Sequence, residues 1–202
     1  MRSYPAIALI EFSSIATGIL TGDAMVKKAP ISVLKSGTVH DGKYLILIGG
    51  SVASVEESFT EGISIGGEQI LDRVILPNVH RQVHRAILGE RKPFRYESLG
   101  VIETKTVAAT IQSADAGIKG ANVDLIEIRL ADDIGGKAFA VFNGEVEDVE
   151  VAIDIAQNAV TNPDFWLRDT IIPKIHPGMV EQIDQSTRFY STKLKSLEGR
   201  EL

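Results

Sequence analysis

Few residues in this chain have the types and spacing that catalysis requires. Two adjacent aspartates, Asp132 and Asp133, precede an Ile-Gly-Gly-Lys string, and paired carboxylates can hold a metal or transfer protons. The string itself lacks the pattern of a phosphate-binding loop, which needs glycine where Ala131 stands and Ser or Thr where Ala138 stands. We therefore interpret this segment as a glycine-containing hairpin turn with solvated acids.

The remaining candidates for chemistry are equally sparse. His80 and His84 have the four-residue spacing of a helical metal pair, but no acid lies between them to complete a zinc protease motif. The chain has no cysteine, which excludes a thiolate nucleophile, disulfides, and cysteine-held zinc or iron–sulfur clusters. No nucleophile elbow is present either. The sequence thus predicts no catalytic residues, no cofactor and no metal site built from one chain.

Composition is typical of a globular protein without a nucleic-acid or membrane partner. Of 202 residues, 44% are hydrophobic, yet no apolar run approaches the ~18 residues of a membrane span. The net charge is −6, with 11 basic and 10 acidic residues before position 98 and 10 basic and 17 acidic after it. No basic face is therefore expected for nucleic acid or anionic lipid. The first five residues are too short and polar for a signal peptide, which predicts a cytoplasmic location.

The chain contains an internal repeat, a pattern that must be found before the fold is assigned. With a shift of 92, Glu103 aligns with Glu11, and six further pairs are identical, among them Lys119 with Lys27. A shift of 94 aligns Gly136 and Lys137 with Gly42 and Lys43. A final shift of 96 aligns Pro173 with Pro77 and His176 with His80. The identical order of the matches indicates a tandem duplication.

The repeat predicts two copies of one α+β unit with the order strand, helix, strand, strand, helix, strand. Apolar stripes at helical spacing predict helices over about 14–28 and 52–65 and at the equivalent later positions. The tight link between the middle strands makes them an antiparallel hairpin, and the helices are expected to pack on one face of each antiparallel sheet. Alternation of Ile126 and Ile128 with Glu127 and Arg129 predicts that the other face is solvated.

The duplication also sets expected boundaries. The first unit covers 1–90, a charged, proline-containing linker covers 91–97, and the second unit covers 98–180. A polar C-terminal tail without a counterpart in the first copy is expected over 181–202.

Several paired strings together resemble the bacterial microcompartment shell domain, repeated in tandem. They are AMVKKAP and GIKGANV, the opening GVIETK, the closing GEVEDV, and PNVH with PKIH. The resemblance extends over about residues 5–180. It implies a structural shell protein rather than an enzyme, forming a homotrimeric, pseudohexameric tile with a central pore for metabolites. It also implies other shell proteins and encapsulated enzymes as partners.

The resemblance further implies roles for particular residues. The turn after the second strand of each copy is expected to line the pore, which selects His40, Asp41 and Gly42 with Asp132, Asp133, Ile134, Gly135 and Gly136. The tile edge is expected to contain Lys27 and Lys119, together with Asn78 and Lys174 at the place of the family's edge arginine. Neither Asn nor Lys reproduces the planar fork of arginine, so edge contacts are expected to differ between the two copies.

Two alternatives stay open at this point. Some tandem relatives hold an iron–sulfur cluster on the threefold axis through cysteine, whereas this chain has His40 at that turn. Three copies of His40 would form a candidate metal site. The second alternative is functional: a soluble trimeric ligand-binding or regulatory protein of similar build that does not tile.

Overall fold

The computed structural model describes residues 4–191, and both copies have the same order of elements. The first copy comprises β1 (Ala6–Phe12), α1 (Ile15–Lys28), β2 (Ser32–Val39), β3 (Lys43–Gly50), α2 (Val52–Gly66), β4 (Ile70–Leu76) and α3 (Arg81–Ile87). The second comprises β5 (Ser98–Thr104), α4 (Val107–Gly120), β6 (Asp124–Leu130), β7 (Ala138–Gly144), α5 (Val146–Asn158), β8 (Trp166–Ile172) and α6 (Pro177–Gln185).

Each copy forms one antiparallel sheet of four strands, in the orders β2-β3-β1-β4 and β6-β7-β5-β8. The irregularities in strand pairing are duplicated as well. A register shift after Glu11 recurs after Glu103, and one after Val33 recurs after Leu125. The α+β class and the tandem architecture predicted from the sequence are therefore confirmed.

The long helices α1, α2 and α4 each begin at a residue whose side chain caps them, whereas α5 has no such cap. Ser14 accepts a hydrogen bond from the Thr17 N–H at 3.2 Å, and Thr106 accepts one from the Ala109 N–H at 3.3 Å. Such caps satisfy backbone donors that lack a partner inside the helix. Helices α1 and α2 then bury Met25 and Val55 against one face of the first sheet.

A short third helix follows the last strand of each copy, and α3 lies mainly against β6 of the second copy. In the first copy, α3 places Val83 and Ile87 in one hydrophobic cluster with Leu9 and Leu47. In the second copy, Val180 and Ile183 of α6 pack against Leu99 and Val141. The predicted tail therefore does not begin at residue 181, because α6 continues to Gln185 and is the counterpart of α3. Residues 192–202 of that tail lie outside the described part of the chain.

The prediction of one solvated sheet face is wrong for β6. Glu127 and Arg129 are only 7% and 8% exposed, because the segment after α6 covers them. The Thr187 hydroxyl donates to the Glu127 carboxylate at 2.9 Å, and Arg129 donates to the Thr187 carbonyl at 3.2 Å. Arg91 adds a salt bridge to Glu127 at 3.1 Å. Buried charges need such partners, and distant segments supply them here.

The segment 91–97 is attached to the second copy. Lys92 forms a salt bridge with Asp124 at 2.6 Å, and the Arg95 N–H donates to the Asn143 side chain at 2.8 Å. Phe94 packs against the cluster beneath α6. These contacts fix the direction in which the chain passes from one copy to the other.

Candidate functional site

The two turns selected from the sequence have backbone conformations that explain their composition. Asp41 and Gly42 have φ angles of 69° and 68°, and Asp133, Gly135 and Gly136 have φ angles of 63°, 65° and 72°. Positive φ favours glycine and is tolerated by aspartate. The residue types therefore support the turn shapes at these positions, whereas Ala131, with a φ of 50°, adopts the same region without glycine or aspartate.

The fold brings the two turns together. The Asp133 N–H donates to Nδ1 of His40 at 3.1 Å, and Lys43 Nζ donates to the Gly136 carbonyl at 3.0 Å. A side chain at Gly136 would begin 3.0 Å from the Asp41 Cβ. The predicted pore residues of both copies thus form one continuous surface within a single chain.

Most of these residues are exposed to solvent, with one clear exception. His40, Asp41, Gly42, Asp132, Asp133 and Gly135 are exposed, and Ile134 is half-buried. Gly136 is buried between the turns, so its prediction as a pore-lining residue is corrected to a packing position. Asp133 also forms a salt bridge with Arg188 at 2.5 Å, which offsets part of the negative charge expected at this surface.

Two of the four predicted edge residues meet. Lys119 donates to the Asn78 carbonyl and to Asp115, each at 2.5 Å. Lys27 instead pairs with Asp23 of its own helix at 2.5 Å, and Lys174 pairs with Glu97 at 3.2 Å. The fold therefore joins one predicted edge position of each copy, Asn78 and Lys119, at the junction between the copies.

The histidines of the two PNVH and PKIH strings are helix caps. His80 Nδ1 accepts from the Gln82 N–H at 3.3 Å, and His176 Nδ1 accepts from the Gly178 N–H at 3.1 Å. His84 is 4% exposed, and burial lowers its pKa below the ordinary value. Within residues 4–191 no three His, Cys, Asp or Glu side chains come together as a metal site. The threefold His40 site requires three chains and stays a prediction.

A buried polar network at the junction between the copies was missed by the sequence interpretation. Glu11, the penultimate residue of β1, is fully buried, and its Oε1 accepts from the Ala108 N–H at the start of α4, at 2.7 Å. Lys43 Nζ lies 3.8 Å from its Oε2 and also donates to the Lys105 carbonyl at 3.2 Å. The signal was present in the sequence, since a lone acid in an apolar strand recurs in both copies.

Burial governs the ionisation of this network. It raises the pKa of Glu11 from 4.5 to about 7, an effect that the Ala108 N–H and the Lys43 ammonium partly oppose. Burial likewise raises the pKa of the nearby Asp72, which accepts from the Thr106 hydroxyl. The first copy thus presents two carboxyl groups to the first turn of α4, where the helix dipole favours an acceptor with negative charge.

None of the helices within residues 4–191 combines the length and hydrophobicity needed to cross a bilayer.

Comparison with known proteins places the duplication in a family. The BMC domain family matches residues 6–79 and again residues 98–175. The bacterial microcompartment shell protein PduT of Citrobacter freundii is 36% identical over 178 residues, which cover 88% of this chain and 97% of that protein. Shell protein PduA of the same organism is 36% identical over 88 residues, only 43% of this chain but 90% of the relative. The second match therefore corresponds to about one copy of the repeat.

A solved structure gives the same result for the fold. The crystal structure of a microcompartments protein from Desulfitobacterium hafniense DCB has 38% sequence identity and a TM-score of 0.76, over 88% of this chain and 98% of that chain. The duplicated unit seen here is thus similar to a known protein along nearly its whole length.

Proposed function

Because the chain belongs to the bacterial microcompartment domain family and is a tandem-domain structural shell protein, we propose that three copies of it form a pseudohexameric tile with a central pore. Two copies of the repeat in each chain would give six similar wedges around a threefold axis. Head-to-tail contacts of this kind close into rings when the rotation permits.

The observation that carries the proposal is a difference between two equivalent helices. In α4, Val107 and Ile111 are fully buried, because this helix packs against β4 and β1 of the first copy. Their counterparts in α1, Ile15 and Ile19, are 41% and 55% exposed. The same apolar stripe is therefore covered in the second copy of the repeat and uncovered in the first, as expected for a unit that binds a second chain.

The pore would form where the paired turns of three chains meet. Asp41 and Asp132 each provide an exposed carboxylate, and His40 and Asp133 hold the two turns together. Repetition by a threefold axis would surround the opening with acids, partly offset by Arg188. Such a mouth favours cations and neutral polar metabolites over anions.

The tile edge would contain Lys27, Lys119, Asn78 and Lys174. The contact of Lys119 with the Asn78 carbonyl supports this assignment, because it places one edge residue of each copy side by side. The repeat aligns Lys27 with Lys119 and Lys174 with Asn78. Lys27 would therefore lie beside Lys174 of the next chain. The two kinds of corner would then differ in charge, and other shell proteins of the same compartment would bind at these edges.

The role is structural, and we expect the chain to catalyse no reaction. Encapsulated enzymes would be its neighbours, and the shell of a cytoplasmic compartment would be its location. The proposed units are 1–90 and 98–180, with the second extended to Gln185 by α6. A regulatory trimer that never tiles is the competing proposal, and tiling distinguishes the two.

Light scattering and electron microscopy of the purified chain test this function. Scattering should give about three times the chain mass of 21.9 kDa, and micrographs should show sheets, tubes or closed shells. A stable monomer or dimer would contradict the trimer. A trimer that forms no extended assembly, alone or with other shell proteins, would favour the regulatory alternative.

A further inference from the structure

The buried pair of Glu11 and Lys43 has an exposed counterpart in the second copy of the repeat. The repeat aligns Glu103 with Glu11 and Lys137 with Lys43, and these two residues also form a salt bridge. The Glu103 and Lys137 side chains are 36% and 47% exposed, whereas those of Glu11 and Lys43 are 0% and 11% exposed. The same charged pair is therefore covered in one copy and open in the other.

The covering element in the buried case is the first turn of α4. Glu11 accepts from the Ala108 N–H, and Lys43 donates to the carbonyls of Lys105 and Gly136. The repeat aligns Ala108, Lys105 and Gly136 with Ala16, Ser13 and Gly42. The equivalent backbone groups in the first copy are therefore the Ala16 N–H and the carbonyls of Ser13 and Gly42. Within residues 4–191 no carboxylate accepts from the Ala16 N–H. The Glu103–Lys137 pair and the backbone groups that would complement it are thus both present on one chain, in different copies of the repeat.

We propose that Glu103 and Lys137 form the polar centre of the contact with a second copy of this chain. The Glu103 carboxylate accepts a hydrogen bond from the Ala16 N–H of that copy, and Lys137 donates to its Ser13 and Gly42 carbonyls. This inference deepens the proposed trimer by identifying the groups that set its register.

Three further observations support a second copy as the occupant. The exposed apolar stripe of α1 begins at Ile15, directly beside Ala16, so polar and apolar parts of one surface are continuous. Ser14 already caps the Thr17 N–H, just as Thr106 caps the Ala109 N–H beside the Glu11 carboxylate. The pairing shift after Glu11 recurs after Glu103, so both acids leave their strands with similar local geometry.

This charged contact would make the association of two chains specific for one orientation, which apolar contacts alone would not do. An acid and a lysine that become buried together must find all their partners, since a displaced pairing would leave charges without them. A neighbouring chain in any other register would lack the open helix N–H opposite Glu103. The pair therefore selects one orientation of the second copy.

The test compares self-association of Glu103→Arg and Glu103→Gln with that of Glu90→Gln. Glu90 is an exposed acid paired with Arg85 at 3.7 Å, outside the proposed contact. Analytical ultracentrifugation should show the trimer dissociation constant raised at least about 100-fold by Glu103→Arg, less by Glu103→Gln, and unchanged by Glu90→Gln. Circular dichroism should show native helix content in all three, because Glu103 is accessible in the single chain.

A second measurement is independent of any loss of stability. The chain lacks cysteine, so Ala16→Cys with Lys137→Cys provides the only thiols for a short bismaleimide cross-linker. Denaturing gels should show cross-linked dimers and trimers for this variant, but not for the pair Lys137→Cys with Glu57→Cys. A wild-type monomer would overturn the proposed trimer itself. A wild-type trimer that Glu103→Arg leaves intact, without cross-linking, would overturn only the assignment of Glu103 and Lys137.

Discussion

The backbone N–H of Asp133 donates to Nδ1 of His40 over 3.1 Å, across a sequence separation of 93 residues. This bond joins the turn of one copy to the turn of the other before any second chain is involved. The surface proposed to line the pore is consequently prepared within the chain, and a trimer would repeat a finished unit three times.

Charge at this surface should control which solutes pass. Replacing Asp132 and Asp133 by Asn removes two carboxylates from each chain, so the ratio of anionic to neutral probe entering assembled shells should increase. Glu147→Gln and Asp148→Asn together are the matched control, because they remove two charges from the first turn of α5. Equal ratios for wild type and both double variants would show that these aspartates do not select solutes.

The two equivalent isoleucines should separate folding from assembly. Ile111→Ala removes a fully buried side chain and should lower the free energy of unfolding by about 2–5 kcal/mol. Ile19→Ala removes a side chain that is 55% exposed, so dilute single chains should lose little stability while trimer formation weakens. Urea unfolding and sedimentation measure the two quantities. A large loss of chain stability from Ile19→Ala, with association unchanged, would contradict the proposed contact.

The edge lysines should also respond differently. Lys119→Glu places a carboxylate beside Asp115, whose side chain is 5% exposed, and should lower the free energy of unfolding by at least about 1 kcal/mol. Lys27→Glu faces solvent and should change it by less than about 0.5 kcal/mol while abolishing sheets in electron micrographs.

Lys28→Glu is the control for this comparison, because Lys28 is adjacent and pairs with Glu61 at 3.4 Å. The Lys28→Glu variant should still form sheets in electron micrographs. Sheets that also persist in Lys27→Glu would mean that Lys27 is an ordinary solvated residue near a helix end.

Stability should depend on pH through Glu11. Its pKa is raised from 4.5 to about 7, so between these values the folded chain retains a proton that the unfolded chain has lost. The free energy of unfolding should therefore fall as pH rises through this window, by on the order of 3 kcal/mol, and level off above it.

Glu11→Gln removes this titration and should make the decline shallower, whereas the contribution of the raised pKa of Asp72 has the same sign in both proteins and cancels. Thermal unfolding at pH 5, 6, 7 and 8 measures the difference. Parallel pH profiles for wild type and Glu11→Gln would show that the buried carboxyl does not titrate here.

The fold was predictable because its signals are local. Apolar residues at helical spacing predicted α1 and α4, and the glycines and aspartates near Gly42 and Gly135 predicted turns between antiparallel strands. Because each pattern occurs in both copies of the repeat, two independent segments supported each predicted element. The end of α6 over Glu181 to Gln185 was not predicted, because only Ile183 among these residues is identical to its counterpart in the first copy, Ile87.

The repeat and the residue types at both turns are properties of the sequence itself, and the sequence also determined the order of elements, because helices, strands and turns follow from local patterns. Only the tertiary structure decided that Glu11 caps α4 across 97 positions, that Gly136 is buried, and that Glu127 is covered. Identical residues in the two copies have opposite exposure because burial depends on which distant element packs against them. A local pattern of residue types is the same in both copies and cannot distinguish the two cases.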